Sequence, residues 1–398
     1  MTDLAEAADA VTVGSPKLRD LIADIGAGAI GRDERDELPF KVIDAVKRAR
    51  LGALRLPVEH GGGGATLVEL YEVFIELSAA DSNVAHILRS HFGIVESLLL
   101  ADRPEDQRWL DLVARGDLIG GVAAEPESKA GAIAESFSTA ITETPEGLRL
   151  NGTKHYTTGA LYMDWLTVGA TDVDGSKARL IIPTDRDGLV RHNDWDGFGQ
   201  RFTASGTTTF DNVAVYPGDY VPAPVTPRYP STFFHIQLSA MIAGILRRVT
   251  SDAVDQVRNK KRAFYHATAE VPADDPILHY SVGLLASQAF AAEAMVGAAA
   301  AALQEAYAAH GTPEEDELSL RASLLNAKAK VVIDELANRA ASEIFDVGGG
   351  SLTHRSAHLD RHWRNIRTIA AHNPKTLKAV AVGNYHVNGT PLPNQGFF

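Results

Sequence analysis

Residues 360–368 read Asp360-Arg361-His362-Trp363-Arg364-Asn365-Ile366-Arg367-Thr368, and His372-Asn373-Pro374 closes the stretch. Three Arg, two His and one Trp within fifteen residues make poor core material and unusual surface. A guanidinium offers a planar fork of donors to an anion, and an aromatic ring offers a face to a planar ligand. Together they suit a pocket that holds an anion and a flat ring. Arg361, Arg364 and Arg367 recur every three residues, so on a helix they share one broad side and form a basic stripe. Ion pairing with acids such as Asp346 and Asp360 is the plainer reading of the same stripe. Just upstream, Phe345-Asp346-Val347-Gly348-Gly349-Gly350-Ser351 ends a helical pattern with a turn whose backbone is free to take positive φ.

Between these two stretches His354, His358 and His362 fall at i, i+4 and i+8. That spacing would align three imidazoles on one helix face, and two at i, i+4 can bind zinc. No His-Glu-x-x-His order accompanies them, so spacing alone assigns no metal.

The whole chain sets limits on these readings. It has 398 residues, 45% hydrophobic and 22% charged, the composition of an ordinary globular protein. It has no cysteine, which excludes disulfides, thiolate nucleophiles, iron–sulfur clusters and Cys-based zinc sites. The same absence fits a reducing cytoplasm. A net charge of −13 repels phosphate backbones and anionic lipid, so neither nucleic acid nor a membrane surface is an expected partner. Met1 to Ala10 has no basic segment and does not read as a signal peptide. No uninterrupted apolar run approaches the ~18–20 residues of a membrane span.

Residues 1–118 read as helical. Leu18, Leu21, Ile22 and Ile25 recur at helical spacing, and a second helix is expected over Pro39–Arg50. Gly61-Gly62-Gly63-Gly64 lets the backbone approach a neighbour closely but lacks the dinucleotide fingerprint. Thr66 and Glu69 stand in capping-box order ahead of a helix through Ala80, and another helix is expected from Val84 to Leu100. From 119 to 225 β-branched residues and turn signals dominate. Strands are expected over Trp165–Ala170, Ala178–Pro183 and Thr207–Val215, with Asn151-Gly152 as a hairpin turn. Four prolines between Pro222 and Pro230 mark a linker. Residues 226–398 are helical again, with helices expected over Thr232–Arg262, an alanine-rich Pro276–His310, Glu314–Phe345 and Lys375–Tyr385. The final Phe397-Phe398 should dock on the body or on a partner chain.

This order of helices, sheet and helices resembles the acyl-CoA dehydrogenase superfamily over nearly the whole chain. Lys154-His155-Tyr156-Thr157-Thr158-Gly159 is similar to that family's strand beside the flavin ring. Phe210-Asp211-Asn212-Val213-Ala214-Val215-Tyr216-Pro217 is similar to its closing strand. Phe345 to Gly350 is similar to its glycine turn, which in relatives contacts a neighbouring subunit's cofactor. The implied fold is α+β: an N-terminal helical domain, a central antiparallel β domain and a C-terminal four-helix bundle.

Two departures separate the chain from the dehydrogenases. Those enzymes need a carboxylate base, and in most of them it lies where this chain reads Ala371-His372-Asn373-Pro374. Others place it on the first helix of the C-terminal bundle, yet Tyr220 to Ser251 contains no Asp or Glu. Without a base, dehydrogenation lacks its proton acceptor. The second departure is Arg262-Ala263-Phe264-Tyr265-His266, which lacks the Phe-Gly pair that helps hold the adenosine half of FAD. FMN is therefore expected, with FAD as the alternative.

The chain resembles the family's flavin-dependent monooxygenase branch, of the dibenzothiophene and dimethyl-sulfone-pathway type. The matching features are Ser90-His91-Phe92, Asp274-Asp275-Pro276, Trp363 to Thr368, His372-Asn373-Pro374 and the tail from Asn388 to Phe398. The resemblance implies a two-component enzyme that takes reduced FMN from a separate NAD(P)H:flavin reductase. It implies reaction with O2 through a flavin C4a-hydroperoxide, oxygenation of a small apolar or aromatic substrate at S, N or C, and no metal. It implies His372, His91 and Thr158 as catalytic residues. Around the cofactor it implies Tyr156, Thr157, Thr158, Arg262, Gly348, Gly349, Arg367 and His372. Tyr156 and Trp165 would wall the flavin or the pocket. The glycine turn and terminal aromatics imply a homotetramer. Two rivals stay open: an FAD-dependent acyl-CoA dehydrogenase with a displaced base, and a non-catalytic helical assembly protein.

Overall fold

A computed structural model describes residues 10–126, 137–395 and 398; the readings of Met1–Asp9 and of Phe397 fall outside them. The N-terminal part holds α1 (Pro16–Arg35), α2 (Phe40–Arg48), α3 (Leu67–Ala101) and α4 (Gln107–Arg115). Thr66 Oγ1 accepts from the Glu69 amide at 3.2 Å while Glu69 Oε2 accepts from the Thr66 amide at 2.8 Å, so the expected capping box starts α3. The two helices expected here are one rod broken at Asp81, whose backbone is extended (φ −156°, ψ 108°). Asp81 Oδ1 accepts from the Asn83 amide at 3.0 Å and re-caps the second half. Its Oδ2 takes Arg32 Nη2 from α1 at 2.8 Å. In the glycine run, a Cβ on Gly62 would stand 2.1 Å from Leu56 O, so only glycine allows that approach.

The middle part is a seven-stranded sheet: β1 (Ile119–Val122), β2 (Ala140–Thr144), β3 (Gly147–Lys154), β4 (Trp165–Thr171), β5 (Lys177–Pro183), β6 (Leu189–Arg191) and β7 (Thr208–Ala214). β4 lies between antiparallel β5 and parallel β1, and one parallel contact, Ala140 with Thr171, joins this trio to β2. β2, β3, β7 and β6 continue antiparallel. The sheet is therefore mixed, not wholly antiparallel, because the chain enters β1 directly from α4 and returns to its side only at β4. Asn151-Gly152 is not the hairpin turn. It lies inside β3 at a register shift, where Gly152 (φ +149°) lets Thr139 approach. The turn is Thr144–Gly147.

The C-terminal part comprises α5 (Ser231–Asn259), α6 (Pro276–Ala308), α7 (Glu315–Glu343), α8 (Asp360–Ala370) and α9 (Lys375–Asn388). α5 packs on α3 as well as on α6, α7 and α8. Buried Ala292, Ala299, Ala300, Ala302 and Ala306 keep α6 close to its neighbours. Among the described residues two helices, α3 and α6, are long and apolar enough to cross a membrane by length and composition. Apolarity on all sides of α3 reflects its place in the core. α6 instead leaves Ile277, Tyr280 and Phe290 exposed.

Candidate active site

Beyond β3 the backbone turns at Tyr156 (φ +53°). The turn sends Thr157 inward and leaves Thr158 half-buried on the surface of the domain. Thr157 is consumed there: its amide and its Oγ1 both donate to Gly206 O at 3.0 Å, and Thr208 Oγ1 donates to it at 2.9 Å. Its side chain is a structural peg, not the cofactor contact expected of it. Thr158 heads a chain of hydroxyls. Its Oγ1 lies 2.8 Å from Ser205 Oγ, which lies 2.7 Å from Thr203 Oγ1, which donates to Gln200 O at 2.8 Å. One proton per hydroxyl fixes the direction: Thr158 donates to Ser205, Ser205 to Thr203, Thr203 to the carbonyl. The Thr158 oxygen thus keeps lone pairs for an incoming donor.

Gln200 is the knot of this wall, and no sequence pattern marked it. Its amide donates to Asn365 Oδ1 on α8 at 2.7 Å, its Nε2 donates to Ser82 Oγ on α3 at 2.8 Å, and its Oε1 takes His86 Nδ1–H at 3.1 Å. Burial beside the Arg89 charge pushes His86 down to about 3, so its imidazole is neutral.

One turn along α3, Arg89 Nη2 donates to His372 Nε2 at 3.4 Å. The proton of a neutral His372 then sits on Nδ1. The His372 ring is exposed, yet burial by surrounding protein and the charges of Arg89, Lys330 and Lys378 hold its pKa well below the ordinary value. The partly enclosed surface at this residue is the candidate groove. Behind it His235 on α5 lies 3.5 Å from Asn373 Nδ2 and 3.4 Å from Lys378 Nζ. Burial and the same cations keep His235 neutral too, and burial pulls Lys378 down to about 7. The terminal Phe398 ring covers that amine at 3.8 Å. The groups that bear most on His372 are all basic or neutral.

Other expected residues lie elsewhere. His91 is fully buried; its Nδ1 accepts from the Ile119 amide at 3.0 Å and its Nε2–H donates to Gly52 O at 3.0 Å. With both nitrogens spent and burial pushing it down to about 4, it is a core histidine and not a catalytic one. Trp165 packs edge-on against Trp109 at 5.5 Å and donates to Asp117, so it walls a satellite core and not the groove. Tyr156 is 71% exposed and meets the Trp195 ring.

The basic stripe of α8 is mostly neutralised. Arg361 donates to Asp252 at 2.7 Å, and Arg364 pairs with Asp33 and Asp360. Arg367 is left exposed. The three histidines do not share a helix face, because α8 starts only at Asp360. His354 is exposed, His358 is bonded to Asp33 at 2.9 Å, and His362 is bonded to Asp252 at 2.8 Å. Arg262 is exposed in the segment after α5. A Cβ on Gly349 (φ +71°) would come within 3.0 Å of Phe264 in that segment, and Lys260 Nζ reaches Val347 O. The structure so joins the Arg262 segment to the Gly348-Gly349 turn.

Three acyl-CoA dehydrogenase domain families match in the expected order: the N-terminal domain over residues 19–117, the middle domain over 123–213 and the C-terminal domain over 236–374. The chain belongs to the acyl-CoA dehydrogenase superfamily, within its branch of flavin-dependent monooxygenases. It is 30% identical to a dibenzothiophene monooxygenase of Mycolicibacterium goodii, covering 92% of this chain and 90% of that one. It is 27% identical to a probable FMNH2-dependent monooxygenase, SfnC, of Pseudomonas putida, covering 94% and 95%. The structure of FMN-bound TdsC from Paenibacillus sp. A11-2 superposes with a TM-score of 0.85 at 27% identity, covering 96% and 98%.

Proposed function

We propose that this chain is the oxygenase of a two-component system. It takes reduced FMN from a separate NAD(P)H:flavin reductase and, with O2, places one oxygen atom on a small organic substrate while the other leaves as water. The observation that carries this reading is His372, a neutral imidazole in a basic groove where a dehydrogenase needs a carboxylate. FMN, when bound, supplies the electrons that activate O2.

The residues present suit that cofactor. The free lone pairs of Thr158 accept the N5–H that a reduced flavin carries. The positive charge of Arg89 favours the anionic form of a reduced ring. His372, with Nε2 on Arg89, holds its proton at Nδ1, from which it can donate a hydrogen bond toward the reacting oxygen. Arg262, Gly348 and Gly349 serve the cofactor of a neighbouring subunit in a homotetramer. Exposed Phe290 on α6 and Leu377, Val380 and Val387 on α9 are the apolar surface such an assembly would cover. The absence of cysteine suits a cytoplasmic enzyme.

The test mixes the protein with FMN, NADH, a generic flavin reductase and isotopically labelled O2. Sulfides, sulfones, amines and indoles are then screened for a mass gain of one labelled oxygen. Labelled product is the expected result. Reduction of a dye by an acyl-CoA without any reductase would overturn the reading in favour of a dehydrogenase.

A further inference from the structure

Two hydroxyl chains run where the turn after β3 meets the loop before β7. One closes inside the domain: Thr208 donates to Thr157 and Thr157 to Gly206 O, with both threonines buried. The other runs from Thr158 through Ser205 and Thr203 to Gln200 O. Ser205 and Thr203 are buried, but Thr158 at the head of the chain is half-buried. The loop that carries this second chain is held in a costly shape. Gln200 (φ +51°) and Ala204 (φ +48°) both stand in the left-handed region without being glycine. Gly159, next to Thr158, lies so near α3 that a Cβ on it would stand 2.7 Å from Ile87 O. The open end of the chain therefore adjoins the turn of α3 that carries His86 and Arg89.

A carbonyl can only accept, so Gln200 O fixes the polarity of the chain at its far end. Suppose the chain ran the other way, with Thr158 turning its proton outward. Both hydroxyl–hydroxyl bonds would survive with donor and acceptor exchanged, and the bond from Thr203 Oγ1 to Gln200 O at 2.8 Å would be lost. One buried hydrogen bond thus decides whether Thr158 offers a lone pair or a proton. A reduced flavin carries a proton at N5, and an oxidised flavin carries a lone pair there. An accepting Thr158 suits the first and opposes the second.

We propose that Thr203 and Ser205 are positioning residues that hold Thr158 as an acceptor and thereby make the site choose reduced over oxidised FMN. This rests on the monooxygenase reading, in which Thr158 meets N5, and it deepens that reading. Selection between the two redox states is set by side chains buried behind Thr158. An enzyme that borrows its flavin must take up the reduced form and release the spent one, and a fixed acceptor at N5 favours both.

The test measures binding, not turnover. Anaerobic equilibrium dialysis of the full-length protein with oxidised FMN and with dithionite-reduced FMN gives two dissociation constants. A dye-coupled reductive titration of the bound flavin gives their ratio independently, as a shift in midpoint potential. The parent should bind reduced FMN more tightly. Thr203→Val removes the anchoring hydroxyl at nearly constant shape, and Gln200 O keeps Trp195 Nε1 at 3.1 Å. Ser205 is then free to donate to Thr158, and Thr158 to an oxidised N5. The ratio of oxidised to reduced dissociation constants should fall roughly 5- to 10-fold, the net worth of one hydrogen bond. The midpoint potential should fall with it by about 20–30 mV, the same change expressed for a two-electron couple. Ser205→Ala, which breaks the chain closer to Thr158, should act in the same direction. Thr203→Ser, which keeps the hydroxyl, should behave as the parent. Arg89 is untouched in all three variants, so its own preference for a reduced anion cancels from the comparison. An unchanged ratio in Thr203→Val and Ser205→Ala would overturn the proposal, as would Thr203→Ser shifting as far as Thr203→Val. FMN bound equally in both states by the parent would sink the proposal alone. FMN bound in neither state would bring down the monooxygenase reading together with it.

Discussion

The two ends of one stretch, 360–374, teach opposite lessons. At its start Arg361 and His362 are buried on Asp252, which also takes Arg248 Nε at 2.7 Å. At its end His372 faces Arg89, His86, Lys330 and Lys378, of which Lys330 is bonded to an acid, Asp334, at 2.8 Å. The residue types are alike. The difference is the counter-charge: where carboxylates meet the cations, the cluster is mortar between α5, α8 and α1, and at the other end Arg89 and Lys378 have no acid partner among the described residues.

The largest effect should come from breaking the mortar. Asp252→Asn leaves buried Arg361, and half-buried Arg248 beside it, without their anion and should cost about 3–5 kcal/mol of stability, read as a lower urea midpoint. Burial opposes ionisation of Asp252, but hydrogen bonds and the charges of His362, Arg361 and Arg248 win and hold its pKa low. That contribution is present above the ordinary carboxylate pKa and lost as pH falls through the depressed one. A midpoint unchanged in the variant would erase the distinction drawn between the two ends.

Next comes the open end. His372→Ala should leave the urea midpoint nearly unchanged. Product formation should fall about 10²-fold or more, the usual worth of a positioned acid–base group, while oxygen consumption continues and appears as hydrogen peroxide. Turnover and coupling equal to the parent would remove His372 from the chemistry. Lys378, behind the groove, should give an effect of comparable size spread over a pH range. Lys378 loses its proton near pH 7 in the fold, against 10.5 for an ordinary lysine. Between those values the unfolded chain binds the extra proton, so stability should rise with pH by up to about 1.4 kcal/mol per unit from this residue. Lys378→Met should flatten that rise in urea midpoints measured from pH 7 to 10. The same slope in both proteins would mean that Lys378 titrates normally.

Much of this was legible before any coordinates. Capping at Thr66 and the periodic helices are local signals, and the fold followed them. The order of motifs led to the superfamily, and the missing carboxylate at His372 led to the branch. The errors share a cause: sequence shows residue types but not what faces them. His91 and His372 look equally reactive in a string of letters, yet one has both nitrogens bonded within the core and the other borders a groove. Arg361, Arg364 and Arg367 look like one stripe because their partners, Asp252 and Asp33, lie 109 and 331 positions away along the chain. Gln200 was invisible because it sits in an irregular loop and acts through three distant elements. Asn151-Gly152 misled because the same dipeptide that favours a hairpin also tolerates a bulge.

The ring of Phe398 over Lys378 has a practical consequence for handling the protein. The last residue of the chain caps an amine that is only 2% exposed. An affinity handle fused behind it would have to leave from that spot, prising the cap loose and wetting the back of the groove.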